Sequence, residues 1–185
     1  MAGQMHLIAL SRFWGVVQLI SLAEKKAFRA GLDVGIATEL KNGEVYGPAL
    51  FKAYKLESEV AQYPRIVLGN ELINYLENLS RKNPQFPDQN EEDIEVCKIM
   101  ADSCLKMIVK DLDGYLILDY LGEEFRNRFL NFPFRGEMTA FDDIYSTAFD
   151  YVGKEYMKRK DTGDSKLALR YYLLFNYFKA RLPKK

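Results

Sequence analysis

At 185 residues, with 48% hydrophobic and 28% charged side chains, the chain is long enough for one well-formed core and short for two domains. Lys plus Arg and Asp plus Glu both number 26, so the balance makes no electrostatic case for a nucleic-acid or membrane-surface protein. A single histidine, His6, excludes chemistry that needs a His pair or a His-rich metal site.

Residues 7–26 are apolar at Leu7, Leu10, Phe13, Trp14, Val17, Ile20 and Leu22, a helical pattern covered on more than one side and interrupted by Arg12, Gln18 and Glu24. It is too polar at its ends for a membrane span and lacks the Lys/Arg-rich face of an amphipathic anchor. Residues 1–5 carry no cationic leader, and a cytoplasmic location is expected.

Residues 28–38 form an apolar run with Gly31 and Gly35, which predicts a buried strand whose backbone something approaches closely. Asn42-Gly43 is a hairpin turn signal, so Glu44, Val45 and Tyr46 should run back antiparallel. Gly47-Pro48 opens a helix with Ala49, Ala53, Leu56 and Val60 on one core-facing stripe and Phe51, Lys55, Ser58 and Gln62 on a second. Lys55 and Glu59 are spaced as an ion pair on that helix. Tyr63-Pro64 closes the helix, residues 65–68 read as a strand, and Asn70 as the cap of a helix over residues 71–79.

Residues 80–92, with two prolines and several polar residues, read as a loop. Beyond it, Ile94, Cys97, Ala101, Cys104, Leu105 and Ile108 make a helix face. Cys97 and Cys104 are about 10 Å apart on such a helix, out of disulfide reach, which suits reduced thiols. Asp111-x-Asp113-Gly114 lacks the further acidic ligands of a calcium loop and reads as a turn into a strand over residues 115–120. Thr139 and Asp142 resemble a capping box for a helix bearing Phe141, Ile144, Tyr145, Ala148 and Val152. Thr162-Gly163 breaks it. Asp164 or Ser165 caps the last helix, where Leu167, Tyr171, Leu174 and Phe178 share a face and the tyrosines read as core with hydroxyls at the rim.

Three local spellings resemble the palm domain of class III nucleotide cyclases. Arg29-x-Gly31-Leu32-x-x-Gly35 is similar to the cyclase strand R-x-G-I-x-x-G. Val45-Tyr46-Gly47 with Ala53, Leu56 and Glu57 is similar to the helix that follows it, and Arg65-Ile66-Val67-Leu68 to the next strand. The longer spelling from Val45 to Val67 is closer still to a group of bacterial cyclase-like proteins, and the Asp-x-Asp-Gly segment is similar to their tail. The resemblance covers about a quarter of the chain.

It implies an α+β fold: a partial ferredoxin-like palm (α-β-β-α-β) over residues 1–79, the loop 80–92, and a mainly helical C-terminal extension over 93–185, packed as one compact domain. It also implies a nucleotide site at Glu44, Phe51 and Lys55, with Lys55 the catalytic position. Glu44 lies near the family's purine reader, while the transition-state Asn falls on Phe51 and the Arg on Lys55. A phenyl ring donates no hydrogen bond, and Lys gives a point charge where Arg gives a fork. The family's two metal-binding Asp residues precede the R-x-G strand, and here no Asp occurs before Asp33. Neither a metal nor another cofactor is therefore expected, with Mg²⁺ entering only if another segment supplies the metal half. The expectation is a degenerate or truncated cyclase-homology module for signalling, binding a purine nucleotide or a protein partner, a second copy included. The alternatives are an active nucleotidyl cyclase completed by a further segment, and a purely structural or interaction module. No nucleic-acid or membrane partner is expected.

Overall fold

The protein is described here by a computed structural model that covers residues 2–81, 91–130 and 138–182. Helix α1 (Ala2–Ala23) ends in a Schellman-type cap. The Lys26 and Lys25 amides donate to the Ser21 and Leu22 carbonyls at 2.7 and 3.0 Å, and Lys25 takes the left-handed φ of 62°. Gln18 does not interrupt the buried face as its polarity predicts; it lies fully inside it. Its side-chain N–H donates to the Phe28 carbonyl at 3.1 Å, which fixes the chain leaving the helix.

The strand expected over residues 28–38 is shorter: β1 is Ala30–Leu32. The chain leaves it at Asp33, whose carboxylate accepts hydrogen bonds from the amides of Val34 and Leu72 at 2.9 and 3.0 Å. Strands β2 (Thr38–Glu39) and β3 (Val45–Tyr46) pair antiparallel in a ribbon separate from the main sheet. Its turn is the expected one, with Gly43 at φ 81° and the Asn42 side chain accepting from the Glu44 amide at 3.3 Å.

Pro48 opens α2 (Pro48–Lys55), which passes into a π-helical turn at Leu56–Val60 and ends before the expected Tyr63. Ala49, Ala53, Leu56 and Val60 are half-buried, on the side their spacing turns toward the core, while Phe51 and Lys55 are exposed. The Lys55 ion pair with Glu59 is not formed among the described residues. The ammonium lies instead over the Phe51 ring, 5.4 Å from its centre.

Strand β4 (Ile66–Leu68) is buried throughout and pairs parallel with β1, from Ala30 opposite Ile66 to Leu32 opposite Leu68. Helix α3 (Asn70–Arg81) follows. Its N-terminal amide at Leu72 is capped by Asp33, where the sequence points to Asn70, because β1 and β4 end side by side. Asp33 stands so near that a Cβ on Gly69 would lie 2.2 Å from its Cγ.

Helix α4 (Glu91–Leu105) stops short of Ile108. The β-branched pair Ile108-Val109 begins strand β5 (Ile108–Lys110), which pairs antiparallel with β6 (Leu116–Leu118) around the turn at Asp111. Strand β6 joins β4 at Val67 and Ile117, giving the order β1-β4-β6-β5. The C-terminal part is thus not only helical: it supplies two of the sheet's four strands.

Helix α5 (Glu123–Leu130), for which the sequence reading offers no element, precedes α6 (Met138–Asp161) and α7 (Ser165–Lys179). Asp164 caps α7 by accepting from the Leu167 amide at 3.2 Å. The α6–α7 pair is cemented by aromatic rings, with Phe149 and Phe175 stacked at 5.1 Å. Helix α1 packs on α6 and α4, and α3 packs on α4. Cys97 and Cys104 are buried and unbridged. The Thr139 side chain of the expected capping box lies outside the described residues. The fold is α+β, and among the described residues no helix is long and apolar enough to cross a membrane.

Candidate functional site

The β2–β3 ribbon and the start of α2 form one unit. The Ala49 amide donates to the Ile36 carbonyl at 3.4 Å, and a Cβ on Gly47 would lie 2.5 Å from the same oxygen. Glu44, Phe51 and Lys55 all stand exposed on this unit. Phe51 and Lys55 meet one helical turn apart, whereas Glu44 accepts from the Tyr46 hydroxyl at 3.1 Å and is not brought to either of them. Around them the surface is apolar. Ile36 is 79% exposed, Tyr54 64% and Phe51 59%, and Leu40, Val45, Tyr46 and Leu50 are exposed as well. Leu50, Phe51 and Tyr54 lie on the face of α2 turned away from Ala49, Ala53 and Leu56. The sequence carried that signal, since the helix is apolar on two sides where one side suffices for a core.

Beneath this unit the π-helical turn is clamped by two arginines. Arg29 donates to the Ala61 carbonyl at 3.2 Å and pairs with Glu57 at 2.7 Å. Arg65 donates to the Val60 carbonyl at 2.9 Å, so both guanidiniums meet the negative end of the helix. Arg65 is only 2% exposed and is also bound by Asp111 and Asp113, while the Tyr63 hydroxyl donates to Asp111 at 2.6 Å. Burial works against the Arg65 charge, but its hydrogen bonds with Asp113 and Asp111 outweigh that and raise its pKa. The same hydrogen bond from Arg65 holds the Asp113 carboxyl below the usual carboxylate range. Burial, and then the bond to Asp111, push the Tyr63 hydroxyl upward. The Asp-x-Asp-Gly segment is therefore a turn whose carboxylates anchor Arg65. With both acids engaged by a guanidinium that stays charged, the cluster fixes the entry to β4 and supplies no general base.

A second polar cluster closes the C-terminal half. Asp119, just after β6, accepts from the Tyr177 hydroxyl at 2.7 Å and from Arg181 Nε, and the Arg181 guanidinium stacks over the Tyr177 ring at 4.0 Å. A cavity of about 430 Å³ opens beside it, lined by Lys106, Met107, Asp119, Glu123 and Phe125 among others. Its lining is of mixed charge, and its one buried carboxylate is already held by Tyr177 and Arg181. Among the described residues no group of three or more His, Cys, Asp or Glu is placed to hold a metal ion. The chain matches no protein-family model, no curated protein and no solved structure.

Proposed function

We propose that this chain is a cyclase-homology protein that lacks cyclase chemistry and acts in signalling as an interaction module, through the face formed by the β2–β3 ribbon and α2. The observation that carries this reading is the state of Phe51 and Lys55. They lie at the positions where the resemblance calls for hydrogen-bonding groups on the transferred phosphate, yet Phe51 is 59% exposed and the Lys55 ammonium is turned onto its ring. Exposed apolar side chains on this scale support a docking surface over a phosphate site lined by donors.

The test is incubation of the chain with ATP or GTP in the presence of Mg²⁺ or Mn²⁺. No cyclic nucleotide above an enzyme-free blank is expected, because Phe51 supplies no donor where the resemblance calls for the transition-state Asn, and the Asp pair that the resemblance calls for ahead of the R-x-G strand, to hold the two-metal clamp, does not occur before Asp33. Product that disappears in the Lys55→Ala variant would overturn the reading.

A further inference from the structure

Strand β1 lies at one end of the sheet, and its bonds to β4 fix which of its backbone groups point outward. The Ala30 amide donates to the Arg65 carbonyl at 3.0 Å, and the Leu32 carbonyl accepts from the Gly69 amide at 2.8 Å. The N–H and C=O of a planar trans peptide point opposite ways, so the Arg29 carbonyl, the N–H and C=O of Gly31 and the Asp33 amide all face away from β4. Among the described residues none of these groups is hydrogen-bonded.

The side chains leave that edge open. Residues 28–34 are half-buried throughout, whereas β4 beside them is buried at every position. Ala30, Leu32 and Val34 pack against the core yet keep a flank in water. Natural sheets guard an edge with projecting charges, prolines or a covering element. Here both charged residues of the segment are engaged elsewhere: Arg29 binds Glu57 at 2.7 Å and the Ala61 carbonyl at 3.2 Å, and Asp33 accepts the Val34 and Leu72 amides. The β2–β3 ribbon, which follows β1 in the chain, pairs only with itself.

A row of backbone donors and acceptors at this spacing is matched by another extended backbone. A second copy of this chain does not fit. Antiparallel pairing of two β1 strands about a two-fold axis would set them about 4.8 Å apart, with both α2 helices on the same face of the joined sheet. Helix α2 packs on β1, so close that a Cβ on Gly31 would lie 2.2 Å from the Ala53 carbonyl oxygen. The two helices would be forced nearer than the roughly 8–10 Å between the axes of packed helices. A strand that brings no helix over that face meets no such obstacle.

We propose that the outer edge of β1 takes up an extended segment of another protein, which pairs with Gly31 and sets apolar side chains, at alternate positions, beside Ala30 and Leu32. This edge is a different surface from the ribbon and α2, and it is tested without them.

The probe is a short synthetic peptide in which Val and Thr alternate between terminal lysines, added to the isotope-labelled full chain and followed by amide exchange and fluorescence anisotropy. In the free chain the Gly31 amide is expected to exchange about 100-fold or more faster than the Ala30 amide, which β4 already holds. Saturating peptide should slow Gly31 by about 10-fold or more and leave Ala30 unchanged. Methylating the peptide nitrogens along one edge should weaken binding by about 10-fold or more, while methylating those along the other edge should leave it intact, because only one edge of the added strand meets β1. A Gly31 amide as slow as Ala30 in the free chain would mean that the edge is already covered and would overturn the proposal. So would the absence of saturable binding up to millimolar peptide, or binding that neither slows Gly31 nor depends on which edge is methylated.

Discussion

Arg65 is the residue on which most of the polar interior depends, since its guanidinium holds the π-helical turn, the start of β4 and the β5–β6 turn at once. Removing a partner from a buried charge costs more than the pair contributes, because the charge left behind has lost its water as well. Asp111→Ala is therefore expected to destabilise the protein by about 3–5 kcal/mol in urea unfolding. Asp113 is more open to solvent, so Asp113→Asn should cost less and chiefly alter the response to acid. The Asp113 pKa lies lower in the folded than in the unfolded chain, so its contribution is complete above the unfolded value of about 4 and is lost as the pH falls through the folded one. In the Asn variant that part of the acid slope should be missing, and an unchanged slope would mean that the carboxylate is not held by Arg65.

At the scale of elements, Gly31 sets the distance between β1 and α2. A Cβ there would come within 2.2 Å of the Ala53 carbonyl oxygen and 2.6 Å of the Leu56 Cβ, so even Ala must push the helix off the strand. Gly31→Ala is expected to lower stability by about 1–3 kcal/mol and to loosen the face that α2 presents, which thermal unfolding and amide exchange along α2 would both register. The need for a glycine under close approach was legible in the sequence, as were the Asn42-Gly43 turn, the inward stripe of α2 and the Asp164 end of α7. Each of these is encoded within a few residues. What was not legible is pairing at long range. Ile108 continues the spacing of the α4 face and reads as helix until its strand partner on β6 is known. Asp33 caps a helix 39 positions away, and Arg65 reaches Asp113 across 48. Of the candidate site, Glu44, Phe51 and Lys55 were named from the sequence through the resemblance to the cyclase strand and helix, while the second stripe by itself placed Phe51 and Lys55 only on a common side of α2. Exposure of the apolar residues around them depends on which faces the rest of the chain covers, and local spacing does not carry that information.

At the scale of the molecule, the interior is sealed by tyrosines whose hydroxyls have left water. Burial pushes the Tyr145 hydroxyl up to about 12, and raises Tyr63, Tyr120, Tyr171 and Tyr177 as well. A tyrosine in the unfolded chain ionises near about 10, so the folded state holds protons that the unfolded state gives up. Stability from these groups is complete below that value and is lost as the pH rises through the folded ones. Phenolate absorbance is expected to lag behind that of 12 free tyrosines and to complete as the helical circular dichroism disappears. A single ionisation phase near about pH 10, with the helices intact, would contradict the burial of these rings.

The seam between Val67 and Ile117 has a consequence for how the protein comes into being. Strand β4 lies between β1 and β6, so its second neighbour is translated some 50 residues after it. Until β6 has left the ribosome, Ile66, Val67 and Leu68 have one flank uncovered, and the α1-to-α3 segment cannot close its own core. The flank of β4 that faces β6 is therefore expected to stay uncovered in the nascent N-terminal half until the β5–β6 hairpin pairs with it, so that docking of this hairpin acts as a late clasp on the sheet.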